Sequence, residues 1–412
     1  MPHFKTENIL GQSGDAIIQM DERQIYVPYL LENEEIEADY DGDNLSNVVI
    51  KNASPDRCEA VCDVFEKCGG CAFQHMSKEK YQSFKLSAFK EIFKDIYNSE
   101  NIQSAFCDKA TRRRTVISIF KNKDDYVWGY KAKASKKIIN FSECHVVTKK
   151  LNDFIQRFVP FLKEYVSSDV QVKLHITEAE NGFDLVVRGC KPPKDKAKVI
   201  MFKALENDYL DVMRITWEHE IFYQKEVPFI LIDNKPVSMM PEMFLQPSVQ
   251  GQNILTDIIF PYFQKLGKKT QICDLFAGAG TFTLPLSNKV LVDAYDNADG
   301  ALQKLSETVK EFGLQKRIQA FHRDLYRDPV SVLELKKYDA ILTDPPRNGM
   351  LAQVKNIAKA KNKMVVMVFC DPYTAYRDAK ILCDAGYKID ALYAVDQFVF
   401  SKHIEGVAIF RQ

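Results

Sequence analysis

The chain has no excess of charge of either sign. Its 56 Lys and Arg residues balance 56 Asp and Glu residues, so the formal net charge at neutral pH is zero. A zero net charge excludes capture of a polyanion by the overall field of the protein, and any nucleic acid would have to be bound by local basic patches. With 46% hydrophobic residues among 412, the composition is that of folded domains and excludes disordered or collagen-like chains.

Long hydrophobic runs are also missing. The apolar stretch from Met364 to Phe369 has six residues, whereas a helix that spans a bilayer needs ~20. The first residues, MPHFKTENILGQSG, contain no apolar signal region. We therefore expect a cytoplasmic protein without contact to a membrane.

Cysteine is too scarce for a disulfide scaffold, but it is unevenly distributed. Four of the ten cysteines, Cys58, Cys62, Cys68 and Cys71, lie within fourteen residues, and the other six are scattered. In a reducing compartment, clustered cysteines indicate metal binding or catalysis more often than disulfides.

The N-terminal half shows mixed patterns. Short strands with turn residues between them predict a small β-barrel over residues 1–56. The acidic stretch from Glu32 to Asp43 is expected to be a solvated edge or loop that does not hold phosphates. Apolar residues at helical spacing predict a long amphipathic helix from Ser77, its N-cap, to Tyr97. Residues 105–230 combine strands with a helix and predict an α+β region.

After Asn234 the pattern changes to strands that alternate with helices. Such alternation predicts a parallel, doubly wound sheet, whose ligand lies at the carboxyl ends of the strands. Strands are predicted around residues 271–278, 289–296, 317–324, 338–346, 363–371 and 387–396, with a helix that ends at Gly313 and another from Thr374 to Ala385.

The first of these strands leads into a glycine loop, DLFAGAGTF, at residues 274–282. The loop lacks the G-x-G-x-x-G spacing of a pyrophosphate site. Asp296 and Asp324 follow the next two strands, where they can accept hydrogen bonds from ribose or adenine. This combination favours a nucleoside cofactor without phosphates, such as S-adenosylmethionine. The alternative is that the glycines only form a turn and the aspartates only cap helices.

The fourth strand ends in Thr343-Asp344-Pro345-Pro346-Arg347. Its paired prolines predict a rigid, extended loop without backbone donors. An Asp-Pro-Pro at this place is typical of methyltransferases that act on planar nitrogenous rings, although a simple turn at the end of the strand is the alternative.

Taken together, these motifs resemble a known family. They are Phe244-Leu245-Gln246, DLFAGAGTF, TDPPRNG, Phe369-Cys370-Asp371-Pro372, His403-Ile404-Glu405 and SPDRCEAVCDVFEKCGGCAFQH. Over nearly its full length the chain is similar to the S-adenosylmethionine-dependent RNA 5-methyluridine methyltransferases, specifically their iron–sulfur-containing branch. It departs from the family at Pro247-Ser248 after the glutamine, at Asp371, and at Thr281, where the family often has Asn.

The resemblance implies three structural units. A class I Rossmann-like methyltransferase domain, α/β in class, would comprise residues 76–104 and 231–412. A central α+β iron–sulfur and RNA-binding domain would comprise residues 57–75 and 105–230, and a small N-terminal OB-like TRAM barrel residues 1–56.

The resemblance also assigns the catalytic residues. Carbon 5 of uracil is a poor nucleophile until carbon 6 is attacked, so the reaction requires a thiolate. The family's pattern places this nucleophile at Cys370 and the base that removes the hydrogen from carbon 5 at Glu405. The cofactor contacts it implies are Gln246, Phe276, Thr281, Asp296, Asp324 and Asp344.

The same resemblance implies a 4Fe-4S cluster with a structural role, since four thiolates hold such a cluster. Its ligands would be Cys62, Cys68, Cys71 and Cys144. Zinc is the alternative metal, and Cys58 could replace Cys62 as a ligand.

A basic and aromatic stretch is the predicted RNA contact, because basic groups hold phosphates while aromatic rings stack on unpaired bases. Its residues are Arg112, Arg113, Arg114, Tyr126, Trp128, Tyr130, Lys131, Lys133, Lys136 and Lys137. A solvated basic face is the alternative. A target uridine within a helix would have to be flipped out to reach Cys370.

By analogy alone, 23S ribosomal RNA is the expected substrate and the T-loop uridine of transfer RNA the alternative. No obligate protein partner is evident. Two other functions compete with uridine methylation. One is an N-methyltransferase acting on adenine or glutamine, which needs no cysteine nucleophile; the other is a non-catalytic RNA-binding protein that retains the cluster. Cys370 and Glu405 argue against both.

Overall fold

The computed structural model describes residues 1–412 except 11–12, 21–22, 43, 124 and 207–209, and of Asp299 only the backbone. Of the predicted N-terminal turn residues, Gly11 and Gln12 lie outside the described residues, as does Asp43, the last residue of the acidic stretch.

Five short strands form the N-terminal region, which confirms the predicted short strands, although the described residues do not show a closed barrel. They are β1 (His3–Lys5), β2 (Ala16–Met20), β3 (Arg23–Val27), β4 (Glu35–Tyr40) and β5 (Leu45–Asn52). Strands β1, β4 and β5 form one antiparallel sheet, and β2 and β3 form a second. Both sheets contribute to a single small core, which includes Ile18, Ile25 and Ile36.

The prediction that the acidic stretch is an edge or loop is wrong. Strand β4 lies in the middle of its sheet, between β1 and β5. Ile36 and Ala38 face the core and are fully buried, whereas Glu35 is exposed on the other face. Glu34, also buried, forms an ion pair with Arg57. Alternation of acidic with small apolar residues is the period-2 pattern of a half-buried strand.

Helix α1 (Lys78–Phe93) confirms the predicted amphipathic helix, although it ends at Phe93 and not at Tyr97. The Ser77 hydroxyl accepts a hydrogen bond from the backbone N–H of Lys80 at 3.2 Å, as an N-cap does. A 3-10 turn (Ser99–Asn101) and strand β6 (Gln103–Phe106) follow.

The central region contains a seven-stranded sheet. Its strands are β7 (Arg114–Lys121), β8 (Tyr126–Lys131), β9 (Ile138–Ile139), β10 (Gln171–Ala179), β11 (Gly182–Arg188), β12 (Val212–Trp217) and β13 (Glu220–Gln224), in the order β13-β12-β11-β10-β7-β8-β9. Helix α2 (Lys149–Leu162) buries Phe154 and Phe158 in the core of this region, and α3 (Asp195–Leu205) contributes Met201. The predicted mixture of strands and helices is confirmed.

The remaining chain forms the alternating α/β region. Its elements are β14 (Phe229–Ile232), β15 (Lys235–Ser238), α4 (Val249–Gln264), β16 (Gln271–Leu275), α5 (Thr283–Leu286), β17 (Leu291–Asp296), α6 (Asp299–Glu311), β18 (Ile318–His322), α7 (Val332–Leu335), β19 (Ala340–Thr343), α8 (Leu351–Ala360), β20 (Met364–Phe369), α9 (Pro372–Asp384), β21 (Lys388–Asp396) and β22 (Glu405–Arg411). Eight strands build its sheet in the order β18-β17-β16-β19-β20-β22-β21-β6.

The strands predicted for this sheet, β16 to β21, all run in one direction, but the sheet is mixed. Strand β22, which the sequence does not predict, lies between β20 and β21 and is antiparallel to both. The connection from β21 to β22 contains no helix, and a parallel neighbour would require a long crossover. The reversal places the beginning of β22 at the edge where β20 ends.

Hydrophobic cores cover both faces of the eight-stranded sheet. On one face Phe89 and Phe93 of α1 pack with Phe369 and with residues of α8 and α9. On the other face Leu255 and Ile259 of α4 pack against the sheet. None of the helices in the described parts of the chain combines the length and apolar character that crossing a bilayer requires.

A buried polar network ties α1 to the segment between β21 and β22. Lys85, only 3% exposed, donates to Asp396 Oδ1 at 2.7 Å and to the His403 carbonyl at 2.6 Å. The hydroxyl of Tyr81 also donates to Asp396 and accepts from the Phe400 N–H at 2.9 Å. Because both ends of the segment at 396–403 are bound by α1, its path to Glu405 is fixed.

Candidate active site

Cys370 and Glu405 lie next to each other at the edge of the sheet. The ladder between β20 and β22 ends with the pair Phe369 and Gly406, so Cys370 and Glu405 are the next residues on the two strands. Gly406 cannot carry a side chain, because an added Cβ would lie 2.2 Å from the Phe369 ring. This close pairing brings the predicted nucleophile and the predicted base together.

The thiol of Cys370 precedes the N-terminus of α9. Asp371 caps this helix and accepts from the backbone N–H groups of Tyr373 and Thr374 at 3.1 and 3.0 Å. Burial, reinforced by Glu405 and Asp344, raises the pKa of the Cys370 thiol to about 12, although Arg347 acts in the opposite direction. The thiol is therefore protonated at rest, and an acceptor must remove its proton when it attacks.

Two carboxyl groups share this buried edge. Glu405 is 3% exposed, and burial raises its pKa to about 7. Burial also raises the pKa of Asp344 well above its usual range, and the negative charges of Glu405, Asp274 and Asp296 raise it further. Because each charge disfavours the other, the pair retains a proton at neutral pH.

Two glutamine side chains connect these carboxyl groups. Gln397 Nε2 donates to Glu405 Oε2 and to Gln246 Oε1, both at 2.8 Å. Gln246 Nε2 donates in turn to Asp344 Oδ2 at 3.2 Å. Gln397 is not among the site residues predicted from the sequence. Its position directly after strand β21, at the edge where ligands bind, is the signal that could have identified it.

The glycine loop opens over the end of β16. Asp296 Oδ2 accepts from the backbone N–H of Gly278 at 2.8 Å, and its Oδ1 accepts from that of Ala298 at 2.7 Å. Gly278 has a φ of +56°, and the space where a Cβ would stand has no atom within 4 Å. A ligand can therefore approach the backbone here, next to a nearly buried carboxylate.

A further buried acid lies beneath this loop. Asp274 is fully buried, and burial raises its pKa to about 7. Its Oδ2 accepts from the Thr283 hydroxyl, while no hydrogen-bond partner for Oδ1 is found in the described structure. Asp274 begins the glycine motif but is not among the site residues predicted from the sequence.

Three further predicted cofactor residues are Asp324, Phe276 and Thr281. Asp324 Oδ1 accepts from the N–H groups of Tyr326 and Arg327 at 3.0 and 3.1 Å, so this side chain caps its own turn. The centroid of the Phe276 ring lies 5.7 Å from that of Tyr326, a residue of the turn that Asp324 caps. Thr281 is half-buried in the glycine loop.

The four predicted cluster cysteines lie close enough to affect one another. Burial, with smaller contributions from Cys144, Cys68 and Cys62, raises the pKa of the Cys71 thiol to about 12. Gly70 N–H donates to Cys68 Sγ at 3.4 Å. In the described residues, however, no three His, Cys, Asp or Glu side chains are arranged to bind one metal ion. The structure therefore does not show the predicted metal site.

The backbone around these cysteines is held by amide side chains. Asn152 accepts from the Cys144 N–H at 3.0 Å and donates to its carbonyl at 2.9 Å, and Gln74 accepts from the Cys62 N–H at 3.1 Å. Cys58 is exposed, and its thiol donates to the Met76 carbonyl at 3.0 Å.

The predicted RNA-binding stretch is corrected in part. Arg113 is buried and donates to the Gln246 carbonyl at 3.1 Å and to Gln252 Oε1 at 3.0 Å. Its prediction as a phosphate ligand is wrong, since it holds the glutamine motif in place. Tyr130 stacks on Phe141 at 4.7 Å, so its ring is engaged in packing.

Comparisons with known proteins give a consistent result. A family model described as tRNA (Uracil-5-)-methyltransferase matches residues 314–412. The chain is 31% identical to an uncharacterized RNA methyltransferase of Brucella melitensis, over 97% of this chain and 95% of the relative. It is 28% identical to the 23S rRNA (uracil(1939)-C(5))-methyltransferase of Shewanella sediminis, over 97% of this chain and 94% of that protein.

A solved structure has the same fold over the whole chain. It is the Pyrococcus abyssi tRNA (uracil-54, C5)-methyltransferase in complex with S-adenosyl-L-homocysteine, with a TM-score of 0.74 and 21% identity. The match covers 99% of this chain and 100% of that one. The N-terminal strands, the central sheet and the eight-stranded sheet thus recur together in one known protein.

The buried carboxyl groups predict how stability depends on pH. Glu405 has a pKa of about 7 in the folded protein against 4.5 for an ordinary glutamate. Between these two pKa values the folded state binds a proton that the unfolded state has lost. The free energy of unfolding should therefore fall by roughly 1–3 kcal/mol as the pH rises from 4.5 to about 7. The free energy of unfolding of Glu405→Gln should fall less over the same pH range. That of Glu311→Gln, which changes a glutamate at the exposed end of α6, should fall as in the wild type. Urea unfolding at several pH values measures this free energy. If it depends on pH equally in Glu405→Gln and in the wild type, the effect of burial on Glu405 is contradicted.

Proposed function

Since the chain belongs to the RNA methyltransferase family of these relatives, we propose that it methylates carbon 5 of a uridine in RNA through a covalent bond between Cys370 and the uracil. The observation that carries the proposal is the pairing of Phe369 with Gly406, which sets a thiol beside a buried carboxyl group. An N-methyltransferase would not require this pair.

We propose that S-adenosylmethionine binds over the glycine loop. Two observations fit this cofactor, namely the open space above Gly278 and the unpartnered Oδ1 of buried Asp274, which can accept from an ammonium group. When bound, the cofactor supplies an electrophilic methyl group. The residues proposed to hold it are Gln246, Phe276, Thr281, Asp296, Asp324 and Asp344.

The side chains at the edge can divide the chemistry among themselves. Cys370 releases its thiol proton to solvent as its sulfur bonds to carbon 6, and the electrons of the carbon 5–carbon 6 double bond move into an enolate. Protonated Asp344 can donate a hydrogen bond to the polar edge of the uracil and stabilise this charge. Once carbon 5 carries the methyl group, ionised Glu405 removes the hydrogen from it. The double bond re-forms, and the thiolate leaves.

The two halves of this mechanism separate in variants. Cys370→Ala should bind RNA and cofactor but form neither methylated uridine nor a covalent adduct, because no enolate forms. Glu405→Gln should accumulate a protein–RNA species that survives denaturing electrophoresis and carries the transferred methyl group. Labelled S-adenosylmethionine follows that group into the band. Normal turnover by Glu405→Gln, or an adduct with Cys370→Ala, would refute these roles.

We also propose that Cys62, Cys68, Cys71 and Cys144 hold a 4Fe-4S cluster, for which four thiolates are required. Support comes from their mutual effect on the pKa of Cys71. The cluster would connect the loop at 62–71 to the central region through Cys144, whose backbone is fixed by Asn152 on α2. Its role is structural, since the methyl transfer moves no single electron.

Metal content tests this assignment. Protein purified without oxygen should contain iron, and Cys68→Ser should lose it and unfold at a lower temperature. Cys58→Ser is the matched control, because its thiol bonds to the Met76 carbonyl instead, and it should keep the iron. Zinc in place of iron, or full iron content in Cys68→Ser, would count against the cluster.

We propose 23S ribosomal RNA as the substrate, on the basis of the full-length similarity to the Shewanella enzyme. Residues 1–56, 57–75 and 105–230 would provide RNA binding, and the exposed Lys133, Lys136 and Lys137 remain predicted phosphate contacts. Residues 76–104 and 231–412 would form the methyltransferase domain.

Mapping 5-methyluridine in a strain that lacks the protein tests the substrate. One uridine of 23S ribosomal RNA should lose its methyl group, and the gene returned on a plasmid should restore it. The Cys370→Ala gene is the control that should not. Loss of 5-methyluridine from transfer RNA alone would identify the T-loop uridine as the substrate of the same reaction. Unchanged 5-methyluridine in both kinds of RNA would refute the proposed function.

A further inference from the structure

We propose that Gln397 is a positioning residue that keeps Glu405 ionised and oriented toward the substrate while Asp344 carries the proton of the pair. The inference rests on the proposed function and deepens it, because it states how two neighbouring acids acquire opposite roles.

The hydrogen bonds of Gln397 leave its amide nitrogen fully used. An amide nitrogen has two protons, and Gln397 Nε2 donates one to Glu405 Oε2 and the other to Gln246 Oε1, both at 2.8 Å. The side chain is 4% exposed. The opposite amide orientation would direct an oxygen at two other oxygens in a buried site, which is unfavourable. The donor therefore faces Glu405.

The hydrogen bond that Asp344 accepts is longer than the one that Glu405 accepts. Because Gln246 Oε1 accepts from Gln397, its nitrogen faces Asp344, and this bond is 3.2 Å long. A shorter bond from an N–H donor stabilises a carboxylate more than a longer one. Glu405 thus receives the stronger donor, and the proton of the pair stays on Asp344.

Other charged groups around Glu405 do not replace this donor. Arg347, in the loop after β19, is the cation that lowers the pKa of Glu405, and its effect ranks below the hydrogen bond from Gln397. His403 has a pKa lowered to about 4 by burial and by the cations Arg347, Lys402 and Lys85, so it is neutral at physiological pH. Cys370 and Asp371, which follow β20, add no positive charge.

The backbone holds Gln397 in place on both sides. Its neighbour Asp396 is bound by Lys85 and Tyr81 of α1. On the side of α4, an added Cβ at Gly251 would lie 2.4 Å from Gln397 Oε1, so the first turn of that helix closes the space around the amide. A side chain held this firmly can orient the carboxyl group it contacts.

Replacement of the donor tests the inference. Gln397→Met keeps the length of the side chain and removes both N–H groups, so Glu405 should hold a proton at neutral pH. Wild-type and variant protein are mixed with labelled S-adenosylmethionine and RNA from a strain lacking the protein, and the decay of the covalent protein–RNA band is followed. At neutral pH the decay should be about ten- to a hundred-fold slower in the variant. It should recover when the pH is raised by about one to two units.

Gln353→Met is the matched control. Gln353 is a fully buried glutamine that bonds to both backbone groups of Val330, away from this edge. Its loss should lower stability but leave the pH dependence of the decay as in the wild type. Gln397→Glu, which has the same shape and replaces the donor by a carboxyl group, should slow the decay in the same pH-dependent way, and it decides the matter if Gln397→Met does not fold.

The outcomes separate the two proposals. Decay that is slowed equally at every pH, or not slowed at all, would overturn the role of Gln397 while the wild-type band still supports the proposed function. If wild-type protein forms no covalent band and transfers no methyl group to uridine, both are overturned.

Discussion

The antiparallel pairing of β22 with β20 is the interaction on which the candidate site depends. Strand β22 is the one reversed strand among those between β16 and β21, and it therefore begins where β20 ends. Cys370 and Glu405, 35 positions apart in the chain, become neighbours for this reason. The close fit of Gly406 under the Phe369 ring and the bonds from Lys85 to the segment before β22 hold that register.

Burial then determines the chemistry that the edge can perform. It raises the pKa of the thiol and of both carboxyl groups, so the three groups cannot all be charged. A protonated Asp344 is a hydrogen-bond donor and an ionised Glu405 is a base, and the proposed reaction requires one of each. The glutamine pair Gln246 and Gln397 supplies the asymmetry between them.

Sequence motifs predict the residues that follow strand ends, because parallel strands deliver their carboxyl ends to one edge. Asp296, Asp344 and Cys370 belong to this group. A local motif does not determine the direction of a strand. The position of Glu405 beside Cys370 and the proposed role of Gln397 can therefore be identified only from the fold. The buried Arg113 shows the converse, since a run of arginines predicts a solvated basic face unless tertiary contacts bury one of them.

Covalent trapping tests the central claim most directly. RNA transcribed with 5-fluorouridine carries at carbon 5 a fluorine that no base can remove as a proton, so wild-type protein with S-adenosylmethionine should stop after methyl transfer. Mass spectrometry of the digested complex should then find a methylated fluorouridine bound to the peptide that contains Cys370. An adduct on another cysteine, or methyl transfer to uridine-containing RNA with no adduct on the fluorinated RNA, would contradict the account.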